Sequence, residues 1–199
     1  MENDKQDRFV TGEIRMETHR GANRLLTPIA WAFLELRSSP MTDDPKSFHI
    51  VFLLFDGITQ LDFTGPAQLL SRIPGAVVHT AAKAVKPVQT DSGFAILPST
   101  DFADCPQADL VCVPGGFGTR DVIQDEASLQ FLRDQAATAR YVTSVCTGSL
   151  ALGATGLLAG KRATSHWAYT SLLEKFGARY EKARVVRDGN VITAGGVTS

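Results

Sequence analysis

An α/β sandwich with a mainly parallel central sheet is the fold class this sequence predicts. Three observations carry it. Solidly apolar runs of strand length recur along the chain, segments of helical spacing alternate with them, and the principal runs end in turn signals. Strands that are apolar throughout, without alternation, are those covered on both faces, as parallel strands flanked by helices are.

The first run is Phe48-His49-Ile50-Val51-Phe52-Leu53-Leu54-Phe55, closed by Asp56-Gly57. After it, Gln60 to Leu70 (QLDFTGPAQLL) contains Pro66, which suits the first turn of a helix and places the helix start near that residue. A second strand is read at Ala76 to Ala82. Val85 to Val88 and Phe94 to Leu97 flank the polar turn Asp91-Ser92-Gly93 and read as a hairpin. Asp109-Leu110-Val111-Cys112-Val113-Pro114-Gly115-Gly116 is another buried strand running into a glycine turn. Glu126 to Ala139 has helical spacing, with Leu129, Leu132 and Ala136 on one face. Tyr141 to Val145 is a short strand, followed by an abrupt turn at Cys146 and a helix of small residues. Arg162 to Trp167 leads into a helix carrying Leu172, Leu173 and Phe176, and Ala183–Arg187 with Val191–Ala194 surround the hairpin turn Asp188-Gly189-Asn190.

Residues 1–46 differ in kind. They hold seven Lys/Arg and eight Asp/Glu, few β-branched residues and no strand pattern, so they read as an N-terminal extension, either disordered or a gene-model artefact upstream of Met41. The ordered domain is read over 47–199. A length of 199 residues suits one domain with a single well-buried core. The formal net charge is −1 and no basic run stands out, which argues against nucleic acid or an anionic membrane as a partner. The longest apolar run, Leu25 to Leu36, contains Pro28 and Glu35 and falls short of a membrane span. Three cysteines without a paired spacing give neither a disulfide framework nor a zinc site, and a reducing, cytoplasmic setting fits them best.

In parallel α/β folds, sites form beyond the carboxyl ends of the strands. Cys146 falls there, between a strand and a helix whose unpaired N–H groups and dipole favour a thiolate. An unpaired cysteine is otherwise a small buried hydrophobe, and Cys112, inside its apolar strand, keeps that reading. Asp62 either caps the helix near Pro66 or stands by the sulfur as a proton shuttle, where burial beside a thiolate favours its protonated form. Gly115 and Gly116 make either a plain tight turn or a pair of backbone N–H groups for charge developing on a substrate. Thr147 caps the helix or orients Asp62 or a water molecule. His166 is either a satisfied core histidine or a second partner for the thiol. Thr147, not histidine, follows the cysteine, which counts against the proton bookkeeping of peptidase or amidase chemistry. No P-loop, G-x-G-x-x-G, serine elbow or metal-ligand spacing is present.

Phe52-Leu53-Leu54-Phe55, Gln60-Leu61-Asp62-Phe63-Thr64-Gly65-Pro66, Val113-Pro114-Gly115-Gly116, Tyr141 to Ser149 and Arg162 to Tyr169 together resemble the PfpI-like branch of the class I glutamine amidotransferase-like superfamily. Within that branch the stretches are most similar to the bacterial isonitrile hydratases. The resemblance runs from about Phe48 to Ser199. It implies a flavodoxin-like homodimer, without cofactor or metal, that hydrates an isonitrile to an N-substituted formamide through a thioimidate. It further implies Cys146 as nucleophile with Asp62 and Thr147 as its essential partners.

Two other expectations follow from the same fold: a glyoxalase or deglycase acting by cysteine addition, or a ligand- or redox-sensing module related to AraC-type regulators. The family pattern lacks residues 1–46. It also runs on past Gly195-Gly196-Val197-Thr198 into a long helix, so the chain reads as a C-terminally incomplete domain.

Overall fold

The structure, a computed structural model, describes residues 47–196. The extension read over 1–46 lies outside the described residues, as do residues 197–199. Strand β1 (Phe48–Leu53) occupies the interior of a seven-stranded sheet. Its alternation explains why: Val51 and Leu53 point into one core cluster, while Ile50 and Phe52 point into the other. Each fully buried side chain of this size contributes about 1.5–3 kcal/mol of transfer free energy. A strand with two such faces is therefore stable only between two covering layers.

The remaining strands are β2 (Ala76–Ala82), β3 (Val88–Gln89), β4 (Ala95–Ile96), β5 (Thr100–Asp101), β6 (Leu110–Val113), β7 (Tyr141–Val145), β8 (Arg162–Ala163), β9 (Arg179–Tyr180), β10 (Val185–Asp188) and β11 (Val191–Ala194). The large sheet runs β10-β11-β7-β6-β1-β2-β5 and is parallel except for the edge pair β10–β11. Helices α1 (Gln60–Leu70), α2 (Thr119–Val122), α3 (Glu126–Thr138), α4 (Gly148–Ala154) and α5 (Thr170–Lys175) complete the described residues, with a 3-10 turn at Trp167–Tyr169. Phe63 and Leu70 of α1 pack on one face of the sheet. Phe131 and Leu132 of α3, Leu152 of α4 and Leu173 of α5 pack on the other. The two-layered cover, the mainly parallel sheet and the second hairpin agree with the sequence reading, while the first hairpin pairs only Val88–Gln89 with Ala95–Ile96. Among the described residues no helix is long and apolar enough to cross a membrane.

One boundary is corrected. Helix α1 starts at Gln60, not near Pro66, and Pro66 lies inside it. Without an N–H, Pro66 leaves the Asp62 carbonyl without its usual donor four residues on. The buried side chains Phe63 and Leu70 hold the helix against the sheet despite that loss. The earlier start matters for the site, because it places Asp62 in the first helical turn with its side chain turned inward.

Candidate active site

At the carboxyl end of β7, Cys146 takes φ 56°, and among the described residues it is the one non-glycine with a positive φ. For an L-residue that conformation costs about 1–2 kcal/mol, so the surroundings must enforce it. They clamp both backbone groups. The Cys146 N–H donates to Ala194 O at 2.9 Å, extending the β7–β11 register past the strand end. Its carbonyl accepts from Ser165 Oγ at 3.1 Å and from Ser149 Oγ at 3.3 Å. Such strain at a strand-to-helix elbow thrusts the side chain away from the sheet.

Three backbone segments crowd the sulfur. A Cβ placed on Gly115 would lie 2.6 Å from Cys146 Cβ, 2.8 Å from Thr147 N and 2.9 Å from Asp62 Oδ2, so only glycine lets the acid, the thiol and the turn meet. A Cβ on Gly196 would sit 2.7 Å from Cys146 Sγ, which makes the segment after β11 a wall of the site. Asp62 is fully buried, and its carboxyl group lies beside Cys146 across Gly115, close enough to act on the thiol's titration. It is not the N-cap residue of α1, a position that Thr59 occupies.

Burial, and then the Asp62 carboxylate, push the Cys146 thiol up to about 12. The Thr147 N–H and hydroxyl pull the other way and are outweighed. Burial and the neighbouring acid thus oppose the thiolate that a helix N-terminus favours. Helix α4 has only seven residues, and its contribution is smaller than the desolvation that comes with a buried elbow. The sulfur and the acid together retain a proton.

Thr147 stands at the N-cap position of α4 but makes no capping bond with its side chain. Its Oγ1 instead accepts from Gly116 N at 3.0 Å, donates to Gly116 O at 3.2 Å and pairs with Thr119 Oγ1 at 3.0 Å. The Gly116 N–H is thereby engaged by the Thr147 hydroxyl. Gly116 itself has φ 137°, and a Cβ there would meet Gly57 O at 2.3 Å.

A cavity of about 430 Å³ opens over Cys146 and Thr147. Phe117, Ile123, Leu150, Tyr169 and Leu172 make it mainly apolar, while Asp91, Arg120 and His166 add polar groups. That volume suits a small organic molecule. His166 lines this cavity and is not a core residue; its Nδ1 accepts from Ala168 N at 3.3 Å and its ring lies 5.8 Å from that of Tyr169. Among the described residues no group of three or more His, Cys, Asp or Glu side chains is arranged to hold a metal.

The structure thus brings Cys146, Asp62, Thr147, Gly115 and Gly116 together and sets His166 at the cavity wall. Sequence reasoning missed Ser149, Ser165, Thr119 and Gly196. Ser165 adjoins His166 in a stretch already singled out, so proximity was a usable signal. Gly196 gave none, since its approach depends on β11 inserting beside β7.

Residues 48–199 match the DJ-1/PfpI family. The chain belongs to that family. It is 54% identical over 153 residues to an isonitrile hydratase of Pseudomonas putida, covering 77% of this chain and 67% of that protein. A crystal structure of a ThiJ/PfpI family protein from Pseudomonas syringae superimposes with a TM-score of 0.75 at 41% identity, over 82% of this chain and 72% of the other. The HTH-type transcriptional regulator GbdR of Pseudomonas aeruginosa is 30% identical over 142 residues, which are 68% of this chain but only 38% of the regulator. The family's fold is accordingly the flavodoxin-like α/β arrangement described above.

Proposed function

We propose that this protein is an isonitrile hydratase, converting R–N≡C and water into R–NH–CHO with Cys146 as nucleophile. The observation that carries the reading is the 54% identity to such an enzyme, together with the Cys146 thiol held against the buried Asp62 carboxyl. The apolar cavity supports a hydrocarbon R group.

The chemistry needs one proton and one sulfur, and the pair holds both. The S–H adds across the isonitrile carbon: a C–S bond forms, and the thiol's proton, passed through Asp62, goes to the same carbon. The product is a thioimidate, Cys146–S–CH=N–R. Bonded to sulfur, that carbon lies within reach of the carboxyl that already contacts the thiol. Water then adds to the carbon, with Asp62 taking one of its protons and the imine nitrogen gaining one. Collapse forms C=O and breaks C–S, the electron pair returns to sulfur, and the thiol is reprotonated. A thiol that keeps its proton at neutral pH suits this sequence, because the first step consumes that proton. No amine leaves, so no histidine need follow Cys146. Gly115 makes room for the pair, and Thr147 supplies a donor to the sulfur as the water adduct of the thioimidate collapses. The enzyme works in this reading as a cytoplasmic homodimer, without cofactor.

Cyclohexyl isocyanide is the direct probe. The wild-type protein is expected to release N-cyclohexylformamide and Cys146→Ala none. No formamide from the wild type ends the functional reading, and formamide from the variant ends the mechanism. The likeness to GbdR supports a second reading, a sensing domain. Stoichiometric modification of Cys146 without turnover would favour it.

A further inference from the structure

We propose that Thr119 is a positioning residue for this reaction, its hydroxyl holding the Thr147 hydroxyl so that Thr147 can donate to the Cys146 sulfur. The inference rests on the hydratase reading for its kinetic consequence. The hydrogen-bond chain itself is argued from geometry alone.

Thr147 Oγ1 has one proton and two lone pairs. Gly116 N–H, at 3.0 Å, takes one lone pair. Three acceptors compete for the proton: Gly116 O at 3.2 Å, Thr119 Oγ1 at 3.0 Å and the Cys146 sulfur. With Thr119 as the donor in the Thr119–Thr147 contact, the Thr147 proton is shared only between Gly116 O and the sulfur. In that arrangement both lone pairs of Thr147 are filled, and its proton turns from Gly116 O to the sulfur as charge grows there, so that the chain Thr119 to Thr147 to Cys146 runs in one direction. Chains of this kind strengthen one another as charge grows at their end. Negative charge grows on sulfur when the C–S bond breaks, so the chain matters most in collapse of the adduct.

The location of Thr119 agrees with this role. It is 3% exposed, and it opens helix α2 directly after the Gly115–Gly118 turn. Its partner Thr147 opens the helix that follows the nucleophile. The Thr119–Thr147 contact thereby ties the glycine turn to the elbow with side chains and not only with backbone.

The test compares Thr119→Val, which keeps the shape and removes the hydroxyl, with Thr119→Ser, which keeps the hydroxyl. Thr119→Val is expected to lower kcat for cyclohexyl isocyanide roughly tenfold, the scale of one lost bond to a charged group, with KM unchanged. Alkylation of Cys146 by iodoacetamide at about pH 8.5, near the ordinary thiol pKa, is expected to slow several-fold in the same variant. Thr119→Ser is expected to restore most of both rates. Wild-type kcat and alkylation in Thr119→Val would overturn the proposal. A raised KM at unchanged kcat would overturn it too, since that marks a substrate contact, and so would a Thr119→Ser as impaired as Thr119→Val. Should Thr119→Val not fold, Thr119→Ala takes its place in the same comparison. Failure of the wild type to hydrate any isonitrile defeats the hydratase reading, while the alkylation rates still judge the hydroxyl chain.

Discussion

Cys112 and Cys146 sit one strand apart and share the same titration, both thiols being pushed up to about 12. In both, burial is the largest cause and the charge of Asp62 adds to it. Their surroundings differ in every other respect. Cys112 lies inside β6, in register with Phe52 and Thr143, and is fully enclosed by the sheet and its cover. Cys146 lies one residue beyond β7, in a left-handed backbone, at the wall of a cavity and beside a buried acid. A depressed thiol pKa therefore does not mark the working cysteine here. Access and a proton-holding partner do.

The largest way to break the comparison is to remove the partner. Asp62→Asn is expected to reduce formamide release by about 10²-fold or more, the scale of losing a positioned acid–base group. The same variant should alkylate faster at Cys146, because a negative charge that opposes the thiolate is gone. Slower alkylation in Asp62→Asn would contradict the assigned cause of the raised pKa.

A smaller effect is expected at the other thiol. Cys112→Ala leaves turnover within about twofold and lowers stability by about 1–2 kcal/mol, as removing one buried atom from a packed core does. Chemical denaturation and the formamide assay read the two parts separately. A collapse of activity in a folded Cys112→Ala would show that the two cysteines do not divide the work as described.

The smallest effect concerns pH. Both thiols titrate in the native state well above the ordinary value of 9.0. Between pH 9 and the native values the unfolded chain binds fewer protons, so stability is fully present below about pH 9 and declines as pH rises through that window. Denaturation midpoints measured across it should fall in the wild type and fall less steeply in Cys112→Ala. Equal slopes would contradict the burial assigned to that thiol.

Much of this was legible in the sequence, for physical reasons that differ from residue to residue. The strands were legible because two-sided burial writes solid apolar runs such as Ile50 to Leu54. The elbow was legible because a strand pattern broke at Cys146 into small residues. Pro66 misled: local preference placed a helix start there, and packing of Phe63 and Leu70 moved it to Gln60. The helix-dipole argument for a thiolate is opposed by burial, because sequence shows which groups favour a charge but not how deeply the charge is buried. Thr119 and Gly196 reach the elbow through sheet order and turn geometry, which no local pattern encodes.

The account stands or falls on a covalent bond between the Cys146 sulfur and the isonitrile carbon. Rapid acid quench of the wild-type protein during turnover of cyclohexyl isocyanide, followed by peptide mass spectrometry, reads it directly. The expected result is a mass increase equal to one intact isonitrile on the peptide carrying Cys146 and on neither of the peptides carrying Cys105 or Cys112, with a lifetime that matches turnover. Formamide production with no adduct at Cys146, or an adduct that never decays to formamide, would contradict it.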